Sequence, residues 1–121
     1  MILADTSVWV DHFRYGNEPL RRLLEQGEIT CHPWIIGELA CGNLRNRAEV
    51  LLLLSRLPQA FVVSDDEALA LIEGRKLMGK GLGWIDTHLL SAAILEEAGL
   101  WTLDRRLAAA AGLLGVSAHP Q

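Results

Sequence analysis

Cysteine is scarce in this chain, with only Cys31 and Cys41 among 121 residues. Two thiols make no disulfide framework, and neither has the neighbouring ligands of a zinc site. Long apolar runs are missing too. The longest strongly apolar stretch, Val50 to Leu54, falls far short of the ~20 residues that span a bilayer. The opening Met1-Ile2-Leu3-Ala4-Asp5 has no basic region and no cleavable apolar run, so it does not read as a secretory signal. The thiols are then expected to be reduced, in a cytoplasmic protein. Positive charge is also lacking. Lys and Arg number 11 against 15 Asp and Glu, a formal net charge of −4. That excludes nucleic-acid binding through bulk positive charge. Repeats, low-complexity segments and linkers are absent.

What is present fits one globular domain over residues 1–121. A chain of this size buries roughly two-thirds of the surface it exposes when unfolded, enough for an ordinary core. Half of the residues are hydrophobic and 21% are charged, which excludes intrinsic disorder. Leu outnumbers Val plus Ile, 23 to 13, which favours helices over an all-β fold.

The chain alternates short strands with helices. Ile2-Leu3-Ala4-Asp5 reads as a buried strand ending on an acid, with Thr6 and Ser7 placed to cap a helix over Val8–Tyr15 that Gly16 stops. Pro19 opens a helix to Gln26. Glu28–Cys31 is a strand candidate, and Pro33 opens a helix through Glu38 to about Leu44. Arg45–Leu57 reads as helical, and Phe61-Val62-Val63 as a strand. Ser64 and Glu67 form a capping box for a helix to about Met78. After a loop with Gly79, Gly81 and Gly83, Asp86 starts or precedes a helix that Gly99 ends. Leu100–Leu103 is a strand before Asp104, followed by a helix to Ala111 and a last strand candidate at Val116–Ala118. This alternation predicts an α/β fold with a short, mainly parallel sheet covered on both faces.

Four acids stand out. Asp5 and Asp104 end strands, and strand C-termini of a parallel sheet share the edge where open α/β folds bind ligands. Asp86 follows a glycine-rich loop suited to the same edge. Glu38 sits in the mostly apolar Trp34-Ile35-Ile36-Gly37-Glu38-Leu39-Ala40, where a carboxylate needs compensation. Clustered carboxylates raise one another's pKa or hold a cation, and an all-oxygen set suits Mg²⁺ or Mn²⁺. Without these four acids the charges balance at 11 against 11, so the net acidity is no objection to a polyanionic substrate. Each acid also has a plainer reading: Asp5, Asp86 and Asp104 as helix caps, Glu38 as the partner of an Arg. Asp65 and Asp66 are explained by the helix start that Ser64 and Glu67 mark.

Four ordered segments resemble the PIN-domain ribonucleases, and within them the VapC toxins of type II toxin–antitoxin modules. They are Leu3-Ala4-Asp5-Thr6-Ser7-Val8-Trp9, Gly37-Glu38-Leu39-Ala40, Gly81-Leu82-Gly83-Trp84-Ile85-Asp86-Thr87-His88, and Leu100-Trp101-Thr102-Leu103-Asp104-Arg105-Arg106. The last carries Leu103 where a basic residue is usual. The resemblance runs from Ile2 to about Val116. It implies a three-layer α/β/α domain and a Mg²⁺- or Mn²⁺-dependent endoribonuclease. Its acidic pocket would comprise Asp5, Glu38, Asp86 and Asp104. Asp5 and Asp86 would be the principal metal ligands, with Glu38 and Asp104 joining directly or through water. Thr6 and Thr102 would support the acids, and Arg105, Arg106 and His88 are weaker candidates for substrate contact. The implied partners are RNA, a VapB-type antitoxin, and a second copy of the toxin within a larger complex. That complex would meet DNA only through the antitoxin. The alternative is an inactive PIN-like RNA-binding or scaffold domain, which the four filled acid positions disfavour. Aspartyl phosphatase and receiver chemistry fit poorly: Asp5-Thr6-Ser7 lacks the second acid, and no lysine follows Lys80.

Overall fold

The structure, a computed structural model, describes residues Met1 to Gln121. The elements are β1 (Ile2–Ala4), α1 (Thr6–Tyr15), α2 (Glu18–Glu25), β2 (Ile29–Thr30), α3 (Pro33–Ala40), α4 (Arg47–Arg56), α5 (Asp65–Arg75), α6 (Trp84–Glu96), β3 (Gly99–Trp101) and α7 (Arg105–Leu113). It is the mixed α/β fold that the alternation predicts. Three parallel strands pair in the order β2-β1-β3. Isolated parallel bridges extend this layer, from Cys31 to Gln59 on one side and from Leu100 to Ser117 on the other. No helix is long and apolar enough to cross a membrane.

The central strand shows why the sheet forms. A parallel strand covered on both faces reads as an unbroken apolar run, and Leu3 and Ala4 are both fully buried. They belong to a core cluster of 21 buried residues that draws on all three strands and on the helices around them. Around it α1 packs on α2 and α3, α3 on α4, α5 on α6, and α6 and α7 on β3.

Several boundaries differ from those the sequence suggests, each for a local reason. Asp5, rather than Thr6 or Ser7, caps α1, accepting from Val8 N at 3.3 Å. The helix from Pro33 ends at Ala40, not near Leu44, and the Arg47 guanidinium satisfies the carbonyls of Ala40 and Gly42 that its end leaves open. Phe61-Val62-Val63 is not a strand. The chain pairs with the sheet one segment earlier: Cys31 N donates to Pro58 O and Ala60 N to Cys31 O, and Phe61, 58% exposed, then turns its N–H to Glu96 Oε1. The capping box of Ser64 and Glu67 opens α5 as expected. Helix α6 begins at Trp84, two residues before Asp86, and ends at Glu96, followed by Glu97 in a left-handed turn (φ 53°). Gly99 therefore opens β3 instead of closing α6. It must be glycine for another reason, since a Cβ there would lie 2.8 Å from the Ala118 Cβ on the C-terminal segment.

Candidate active site

The site is built where β1 and β3 end side by side. Asp5 follows β1 directly and is only 6% exposed. Its Oδ1 accepts from Ser7 Oγ at 2.5 Å and its Oδ2 from Thr102 Oγ1 at 2.6 Å. Ser7 Oγ also lies 3.3 Å from Thr102 Oγ1 and accepts from Leu103 N at 2.9 Å. Thr102 Oγ1 in turn accepts from Asp104 N at 3.0 Å. One hydroxyl network thus ties the end of β1 to the turn after β3. Burial pushes the Asp5 carboxyl above its ordinary pKa, while the hydrogen bonds from Ser7, Thr102 and the α1 backbone pull it down and offset part of that cost. No Lys or Arg forms an ion pair with it.

Two of the other acids join this framework and the third lies on α6 without a hydrogen bond to it. Glu38 projects from α3, and its Oε1 accepts from Thr6 Oγ1 at 2.7 Å, so the residue beside Asp5 fixes a second carboxylate. Thr102 and Leu103 separate Asp104 from β3. Asp104 caps α7, its Oδ1 accepting from Arg106 N at 2.8 Å and Leu107 N at 3.1 Å. Asp86 lies in the first turn of α6, where Oδ2 accepts from Gly83 N at 2.9 Å. The cap readings and the site readings are thus compatible. Asp86 and Asp104 each spend one oxygen on a helix start and receive no protein hydrogen bond on the other.

The hydrogen bonds bring Asp5, Glu38 and Asp104 onto one scaffold through Thr6, Ser7 and Thr102. Asp86 shares no hydrogen bond with them. No three Asp, Glu, His or Cys side chains converge closely enough to enclose an ion by themselves. That arrangement still suits Mg²⁺, which keeps several waters and takes only one or two carboxylates directly. The donor set is all oxygen, and Asp5 is a buried carboxylate with hydroxyl donors but no cation, so the residues fit such an ion.

Ser7 is the site residue that the sequence reading missed. Its position two residues after a capping acid makes it look like an ordinary first-turn hydroxyl. Only the fold shows that it faces Thr102. His88 requires a correction, because it is completely buried and cannot touch RNA. Its ring packs at a tilt of 46° against Trp34, 4.0 Å between centroids, and meets Trp84 edge-on at 4.8 Å. Its Nε2 stands 3.3 Å from Asp65 Oδ1. Nearby, His32 caps α3 by accepting from Trp34 N at 3.0 Å. Burial, with His88 close by, pulls the His32 pKa down to about 4. These rings pack α3 against α6, the two helices that carry Glu38 and Asp86. Arg105 and Arg106 are exposed on the first turn of α7. Trp9 and Trp101 are core residues. Cys31 and Cys41 are free, and burial raises the Cys31 thiol to about 11.

Comparison with known proteins agrees with this picture. A family model described as "PIN domain" matches residues 2–113. Ribonuclease VapC32 of Mycobacterium tuberculosis is 48% identical over 118 residues, covering 97% of this chain and 95% of the relative, in both strains H37Rv and CDC 1551. Two solved structures share the fold. One is a toxin–antitoxin complex from Klebsiella pneumoniae, with a TM-score of 0.65 at 21% identity, covering 86% of this chain and 87% of that one. The other is PAE2754 from Pyrobaculum aerophilum, with a TM-score of 0.64 at 18% identity, covering 89% and 82%.

Proposed function

The chain belongs to the PIN-domain family and, within it, to the VapC-type ribonucleases, and from that premise we propose that it is a metal-dependent endoribonuclease acting as the toxin of a toxin–antitoxin module. The observation that carries this reading is Asp5. It is a buried carboxylate at the end of the central parallel strand, cradled by two hydroxyls and left without a cationic partner.

Asp5 and Asp86 are the residues to hold Mg²⁺ or Mn²⁺, with Glu38 and Asp104 completing the shell directly or through water. When bound, the ion polarises a phosphoryl oxygen and lowers the pKa of its water. The chain's own residues prepare that chemistry. Ser7 and Thr102 hold the Asp5 carboxylate in one orientation and favour its ionised form against burial. Thr6 fixes Glu38 through Oε1 and leaves Oε2 free to take a proton from the attacking water. The amide of Gly83 pins one oxygen of Asp86 and so sets the direction of the other. The product is a hydrolysed RNA phosphodiester.

The relatives support an antitoxin as the partner. We assign it a neutralising role, and we assign this chain a homodimer within a larger complex that meets DNA only through the antitoxin, in the cytoplasm. Apolar surface for such a partner runs along α1 and α4, where Phe13, Val50 and Leu53 line a groove of about 320 Å³. Expression of this chain alone in bacteria is expected to arrest growth, and Asp86→Asn to restore it at equal protein level. A variant that arrests growth as fully as the wild type overturns the nuclease as the cause.

A further inference from the structure

We propose that Arg106 is the residue of this chain that binds an RNA phosphate next to the cleaved bond; the inference rests on the nuclease reading above. Arg106 is anchored beside one acid, its N–H donating to Asp104 Oδ1 at 2.8 Å. Its side chain then crosses the glycine loop that leads to another. A Cβ on residue 81 would stand 2.6 Å from Arg106 Cδ and 2.9 Å from both Nε and Nη1, so that space is already taken by the arginine. Gly81 also has φ +78°, a conformation glycine adopts without strain. Two residues on, the Gly83 amide is held by Asp86. Arg106 therefore lies between the turn of Asp104 and the loop that leads to Asp86.

The guanidinium is unspent. It makes no ion pair, although two of the four acids are its neighbours along the chain or across the loop. Arg21 is committed to Glu18 and Glu25, Arg47 to the carbonyls of Ala40 and Gly42, and Arg22 to the Gln121 carbonyl, whereas Arg14, Arg45 and Arg56 are free like Arg106 but stand on other segments, away from the loop of Asp86. Arg105 is exposed like Arg106 but has no glycine surface beneath it. A planar fork of donors, braced on backbone and open to solvent, is complementary to a phosphodiester. Beside an acidic pocket, an exposed cation adds local attraction for a polyanion.

The test uses purified full-length protein and a short single-stranded RNA, with cleavage kinetics and direct binding measured across a salt series. Arg106→Ala is expected to raise KM about tenfold and to leave kcat within about twofold. The slope of log affinity against log salt should fall by about 0.7, the signature of one lost phosphate contact on a single strand. Arg106→Lys should keep the slope and recover part of the affinity, and Arg56→Ala, an exposed arginine on α4, should change neither. Gly81→Ala, which retains the charge but displaces the side chain, should raise KM without changing the net charge. Thermal melts of each variant separate these effects from misfolding. An Arg106→Ala protein that cleaves with unchanged KM and salt slope overturns the inference and leaves the nuclease standing. So does an equal effect from Arg56→Ala, or a raised KM with the wild-type slope. A wild-type protein that neither binds nor cleaves RNA overturns both.

Discussion

Asp5→Asn is expected to lower RNA cleavage by about a thousandfold or more while leaving the metal-free protein at least as thermally stable as the wild type. The loss follows from removing the most buried carboxylate of the site, a group whose charge the chemistry requires. The retained stability follows from the same burial. Desolvation raises the pKa of Asp5 in the folded state above its unfolded value. The fold therefore favours the protonated form: the penalty is absent below the unfolded pKa and fully present once pH has risen through the folded pKa. Asn removes that charge and keeps an acceptor oxygen for Ser7 and the α1 amide. The variant should accordingly gain stability relative to the wild type at neutral pH and lose that advantage under acid. Divalent ions should raise the melting temperature of the wild type and not of the variant. Cleavage at the wild-type rate, or a loss accompanied by a melting temperature several degrees lower, contradicts this account of Asp5.

The largest effect on folding is expected at Leu3. It is fully buried in the middle strand, where it pairs with Thr30 on one side and Leu100 on the other. Leu3→Ala removes packing from one face of a short sheet, at its middle strand, where the core has no spare strands to compensate. A cost of about 3 kcal/mol is expected, equivalent to a fall in melting temperature of about 10 °C for a domain of this size. Leu53→Ala on α4, a residue 56% exposed, should stay within about 0.5 kcal/mol of the wild type. Urea unfolding of the two variants measures the contrast. A loss below about 1 kcal/mol at Leu3 would mean that the sheet is not the structural centre that its burial implies.

Much of the fold was legible because its signals are local. The apolar run ending on Asp5, the stop at Gly16 and the pairing of Ser64 with Glu67 each act within one turn of chain. Features that depend on distant neighbours were not legible. Phe61-Val62-Val63 has the composition of a strand, yet the edge of β2 is met by Gln59, because the end of α4 and Pro58 bring that segment alongside Cys31 first. The start of α6 moved two residues upstream because the Asp86 carboxylate reaches back to the Gly83 amide, a contact that the identity of residue 86 permits but does not require. His88 shows the same limit. The resemblance makes it a candidate for substrate contact, although two positions after Asp86 it need not face the pocket, and the helix turns it inward between Trp34 and Trp84. The acids themselves were visible in the sequence. Their supports were less so: Thr6, adjacent to Asp5, serves Glu38, and Thr102, near Asp104, serves Asp5.

The central claim is that this acidic site hydrolyses RNA with the help of a divalent ion. Its most direct test is cleavage of RNA by the purified protein, freed of any antitoxin, in Mg²⁺ or Mn²⁺, in EDTA, and with Asp86→Asn in parallel. The account predicts endonucleolytic products with the metal, none in EDTA, recovery when metal is added back, and none from the variant. Cleavage that persists in EDTA, or equal cleavage by Asp86→Asn, would contradict it.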